Sequence, residues 1–188
     1  MAVNSELGWA EIAADFANWE GRKSFMYVDT VGRVTVGVGL MLPNVVAAQR
    51  LKFVTRADGQ PASASAIAAD FLRVSAQPKA KPADSYKAFT QLDLPDAVID
   101  DLLKTLVTQF EQGLKSNFAG YDSYPAHAKR ALMDMVYNLG LEGLLKFKNL
   151  KKAAESGNWA VAAQECERRG PSQARNDWTR DMFLKAAG

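Results

Sequence analysis

The sequence predicts an α+β fold that is mostly helical, with a small β-hairpin lobe and a larger helical lobe. Three observations carry this. Residues 25–39 read FMYVDTVGRVTVGVG, two β-branched and aromatic runs around a turn signal. A single amphipathic pattern precedes them. From Pro95 onward, apolar residues recur at the helical period almost to the last residue.

In chain order, Asn4 or Ser5 can cap a first helix whose apolar side is Leu7, Ile12 and Phe16, with Trp9 and Trp19 nearby. Gly21 follows Glu20 as a natural helix stop. The hairpin comes next and is the only clear strand pair. Residues 41–94 contain two short helical patterns, NVVAAQRLKF and SASAIAADFLRV, with the loop-like RADGQP and QPKAKPADS between and after them. PDAVIDDLLKTLVTQFEQGL places proline at a first-turn position. PAHAKRALMDMVYNLG is stopped by Gly140, and further helices are expected around 144–155, in WAVAAQECERR and in RNDWTRDMFLKAA. We read 1–188 as one domain, with an N-terminal lobe over about 1–94 and a helical C-terminal lobe over about 95–188. Segment 41–94 is expected to pack over or beside a cleft and to tune access or partner binding rather than form a separate domain, because its helices are too short to hold a core alone.

Composition narrows the function. The 188 residues are 48% hydrophobic and 23% charged, ordinary for a globular chain. The net charge of +2 suits an anionic polymer as substrate and is too small to indicate nucleic acid. One cysteine, Cys166, excludes an internal disulfide. With one histidine, His127, it also excludes a zinc site of several His or Cys ligands. Neither a nucleophile elbow G-x-S-x-G nor a phosphate loop is present. The N-terminus lacks the basic and apolar regions of a secretory signal, and no run is long enough for a membrane span.

The chemistry-bearing candidates are Glu20, Asp29 and Thr35. A helix end carries partial negative charge and disfavours an ionised carboxylate, so Glu20 is poorly placed for a structural role and well placed for a general acid. Asp29 opens the hairpin turn and Thr35 lies on the returning strand. The plain alternative is an ordinary Asp-Thr-x-Gly turn beside an ordinary strand threonine.

The run EGRKSFMYVDTVGRVTVGVG closely resembles the catalytic segment of the phage-type lysozymes, glycoside hydrolase family 24. Tyr27, Asp29, Thr30, Gly32, Thr35, Gly37 and Gly39 match its framework without a gap. A second block, from Arg130 to Ala163, resembles the family's C-terminal lobe, with Gly140, Phe147, Asn149 and Trp159 in register. The resemblance implies a lysozyme-like two-lobed fold and hydrolysis of the β-1,4 bond between N-acetylmuramic acid and N-acetylglucosamine, with inversion and no cofactor. It implies that Glu20 is the acid, and that Asp29 and Thr35 position and activate water. Gly39 would lie at a cleft floor, Tyr137 and Asn138 would line the cleft, and Phe147 and Asn149 would shape the sugar-binding wall. Core packing is the competing role for Phe147 and Trp159. Arg175 is expected either to contact substrate and face Glu20 or to be a solvated surface residue. Three departures stand out: Leu40 replaces a histidine of better-known members, 41–94 is longer than in compact ones and does not align with them, and the loop before Arg175 is shorter.

The expected partner is bacterial peptidoglycan, met by a monomer made in the cytoplasm and acting on the cell wall. Delivery is either release as a phage endolysin or injection as a secreted antibacterial effector, the latter with an immunity protein. A non-catalytic module binding cell wall or protein is the alternative, and its mark would be loss of Glu20 or Asp29.

Overall fold

The computed structural model describes residues 8–188. The proposed caps Asn4 and Ser5 and the apolar Leu7 lie outside them. Two compact units emerge: one takes the chain up to Trp19 together with Lys104–Gly188, the other is Glu20–Leu103. The lobe boundary expected near 94 therefore falls elsewhere, because the first helix groups with the C-terminal helices. Asp15 and Arg130 explain it: the guanidinium donates from Nε at 2.8 Å and from Nη2 at 2.7 Å, a bidentate pair across 115 residues.

The Glu20–Leu103 unit holds all the strands among the described residues. β1 (Lys23–Val28) pairs antiparallel with β2 (Val34–Gly37), in the register Tyr27↔Thr35 and Val28↔Val34. β3 (Leu40–Met41) adds a short third strand to β2. The turn between β1 and β2 requires Gly32 at φ 96, a backbone region costly for side chains other than glycine. A second small sheet pairs β4 (Val54–Thr55) with β5 (Leu92–Asp93). It corrects the expectation of one strand pair. Two-residue strands have no period to read, and their partners here, Val54↔Asp93 and Thr55↔Leu92, lie far apart in the chain.

The 41–94 segment supplies α2 (Val45–Gln49) and α3 (Ala64–Ser75), where helical patterns predict them. Asn44 and Ser63 cap them by accepting from Ala47 N and Ala66 N. A 3-10 helix follows at Ala83–Phe89, in part of the expected loop. The segment belongs to the hairpin unit and forms no compact unit of its own. Asp70 shows how it is tied down. This fully buried carboxylate accepts from Gln91 N at 2.9 Å and Leu92 N at 3.0 Å, and pairs with Arg73. A buried charge is tolerable only with such a full set of partners.

The other unit is helical: α1 (Trp9–Glu20), most of α4 (Asp96–Asn117), α5 (Ala126–Leu144), α6 (Lys148–Glu155), α7 (Trp159–Gln164) and α8 (Gln173–Ala186). Gly140 interrupts α5 at φ 69, ψ 166, where the sequence places a stop. Trp159 is core, stacked on Phe183 with 6.4 Å between rings and edge-on to Tyr124. No described helix is long and apolar enough to cross a membrane.

Candidate functional site

Glu20 is the last residue of α1 and is half-buried. Gly21 at φ 69 turns the chain straight into β1. Two residues of backbone thus join the acid to the strand pair.

The turn after β1 is built around Asp29. Its Oδ1 accepts from Arg33 N at 2.7 Å and from Val31 N at 3.0 Å, while its own backbone closes the turn with Gly32 and Arg33. One carboxylate oxygen therefore fixes the side chain, and these bonds leave Oδ2 unused. Thr35 is 3% exposed and donates its hydroxyl to Arg33 O at 3.2 Å, leaving oxygen lone pairs to accept from another group.

Strand geometry orders these groups. Tyr27 and Thr35 are directly opposed, and side chains of opposed residues share a sheet face. Asp29 follows two residues after Tyr27, one residue past the end of β1. The fields of Glu20 and Asp29 both reach the Tyr27 phenol. Burial first, then these two carboxylates, push it up to about 12. Tyr27 therefore keeps its proton at any ordinary pH. The sequence reading named Tyr27 as framework and missed this; the Tyr-x-Asp spacing facing a strand threonine is the signal that could have found it. Gly39, at φ 75, follows on the exposed turn into β3.

The remaining sequence-derived residues lie in the helical unit. Phe147 and Asn149 come together, lining one open depression of about 440 Å³ with Lys146, Lys148, Gln164, Glu165 and Glu167. Asn149 Nδ2 donates to Glu165 there at 3.2 Å. Phe147 is half-buried, so it is neither a closed core residue nor a free one. Tyr137 packs its ring on Phe16 at 4.1 Å and edge-on to Phe110, while the neighbouring Asn138 is exposed.

Arg175 is not a solvated surface residue. It is 6% exposed, and its Nε donates to Asp134 Oδ1 at 2.8 Å. Asp134 also holds the fully buried Arg168 at 2.8 Å and accepts from Thr179 at 3.0 Å. The sequence reading missed this cluster. Its signal was a charged residue within the apolar run ALMDMVY. Cys166 is 1% exposed and burial pushes its thiol up to about 11, the property of an inert packed cysteine.

A glutamate that ends a helix, an aspartate at the next hairpin turn and a threonine on the returning strand thus follow one another in a single compact unit. The sequence model described as Phage lysozyme matches residues 17–173, and the chain belongs to that family. The crystal structure of a point mutant of P22 lysozyme is similar over 98% of this chain and 99% of its own, at 15% sequence identity and a TM-score of 0.55, which shows a shared fold. A search of curated proteins finds no match.

Proposed function

We propose that this lysozyme-like peptidoglycan hydrolase is an inverting muramidase, cleaving the β-1,4 bond between N-acetylmuramic acid and N-acetylglucosamine. The observation that carries the mechanism is the division of labour at Asp29: Oδ1 is held by two amides and Oδ2 is available as a base. Glu20 protonates the leaving glycosidic oxygen. Asp29 takes a proton from the attacking water, and the Thr35 hydroxyl oxygen accepts a hydrogen bond from the hydrogen that stays on that water's oxygen. The charge on Asp29 is thereby directed at a water rather than at the sugar. A threonine with no base to deprotonate it is a poor nucleophile, so its part is to hold the water. Phe147, Asn149, Tyr137, Asn138, Gly39 and Arg175 are carried as substrate-side residues on the family pattern. For Arg175 the role is indirect, since Asp134 already engages it.

Proton NMR of the first-formed product tests the reading. An initial α-anomeric reducing end is expected. An initial β-anomer, or a glycosyl adduct trapped on Asp29, would show retention. Absence of any new reducing sugar would overturn the muramidase reading itself.

A further inference from the structure

The 41–94 segment touches the turn that bears Asp29. A Cβ built on Gly32 would lie 3.5 Å from Lys79 Cδ, so the stem of Lys79 runs along the outside of the hairpin turn. Lys79 belongs to the loop Pro78–Pro82, and three features show that this loop is held in place. The buried Tyr86 hydroxyl donates to Pro78 O at 2.6 Å. Prolines fix φ at both ends. Between the two lysines, Ala80 adopts φ 61, and it is the one non-glycine residue with positive φ among those described. Such strain persists only where the surroundings impose it.

The loop presents charge that the segment leaves unmatched. Residues 41–94 hold seven cations (Arg50, Lys52, Arg56, Arg73, Lys79, Lys81, Lys87) and four carboxylates, a net +3 against +2 for the whole chain. All four carboxylates are engaged elsewhere: Asp58 by Thr55 and Gln60 N, Asp70 by Arg73 and two amides, Asp84 by Lys23, and Asp93 by Arg56. Lys79 and Lys81 are exposed, and so is Arg33 on the hairpin turn itself.

We propose that Lys79 and Lys81, with Arg33, form a cationic rim beside Asp29 that engages the carboxylates of peptidoglycan stem peptides. This rests on the muramidase reading above. Three cations are far too few for nucleic acid, where affinity grows with the number of phosphates neutralised. The polymer that must lie against Asp29 during turnover is the substrate. Its N-acetylated sugars are neutral within the chain, and its negative charge sits on the stem carboxylates. The rim is therefore a specificity device for substituted glycan over bare glycan, built from the hairpin turn and from the loop of the 41–94 segment packed against it.

The test compares the wild type with the double variant Lys79→Gln, Lys81→Gln on two substrates. One is purified wall stripped of accessory polymers. The other is the same wall with its carboxylates capped as amides by carbodiimide and glycinamide. Release of reducing ends is followed at low and high salt, and thermal melting confirms that both proteins are folded. On native wall the variant should be slower by roughly two- to tenfold at low salt, the worth of two exposed ion pairs. That difference should shrink in high salt and vanish on capped wall. Equal slowing of the variant on both walls, or no slowing on native wall, would overturn the rim. If the wild type releases no reducing ends from either wall, the muramidase reading falls, and the rim falls with it.

Discussion

Asp29 and Asp134 are both aspartates held by several hydrogen bonds, yet the fold leaves them in opposite conditions. Asp29 sits half-exposed on a turn, spends one oxygen on two amides and keeps the other available. Asp134 is 2% exposed and spends both oxygens, on Arg175, Arg168 and Thr179. A carboxylate that is wholly satisfied and buried stabilises a fold. One that is oriented but left an open lone pair can accept a proton. Neither residue type nor the number of hydrogen bonds separates the two; the free oxygen does.

Substitutions should split along that line. Glu20→Gln keeps the shape of the proposed acid and removes the proton that the proposed mechanism has it donate. It should cost about 10²–10⁴-fold in wall clearing while leaving the melting temperature near that of the wild type. Asp134→Ala should do the reverse to stability. It strands two guanidinium groups in the helical unit, and removing one partner of a buried ion pair costs about 3–5 kcal/mol, read from urea unfolding. If Asp134→Ala unfolded at wild-type urea concentration, the cluster would not be the structural element its burial implies.

A smaller effect concerns the 41–94 segment. Ser63 caps α3 through Ala66 N at 3.2 Å, so Ser63→Ala should cost about 1 kcal/mol with clearing activity retained. Loss of activity matching that of Glu20→Gln would place this segment in the chemistry rather than beside it. Smallest is an alkaline effect. An unfolded tyrosine ionises near 10.0, and Tyr27 holds its proton up to about 12 in the fold. Above pH 10 the unfolded state therefore loses protons that the folded state keeps, and stability falls as pH rises toward 12. Tyr27→Phe removes that contribution, so its melting temperature should decline less steeply over this window than that of the wild type. Equal slopes would show that the ring is more solvated than its place between strand and carboxylates implies.

The hairpin and its three polar residues were legible in the sequence because local rules write them. Gly21 and Gly32 need positive φ, the strand runs alternate with period two, and Asp29 bonds amides only two and four residues away. The Gly140 break was legible for the same reason. The β4–β5 sheet and the Asp134 cluster were not, since both depend on partners tens of residues distant: Thr55 with Leu92, Asp134 with Arg175. Nor does local pattern reveal that the first helix groups with the C-terminal helices, a fact held by the Asp15–Arg130 pair across 115 residues. Segment 41–94 was read in its helices and missed in its anchoring, because Asp70 reads in sequence as an exposed helix residue and is fully buried.

The bond that is cut decides the central claim most directly. Peptidoglycan digested with the wild type, reduced with borohydride and analysed by mass spectrometry should yield fragments ending in reduced N-acetylmuramic acid, with the peptide stems intact. The same digest made with Glu20→Gln should be nearly free of them. Fragments ending in N-acetylglucosamine, or uncut glycan carrying cleaved peptides, would contradict the account.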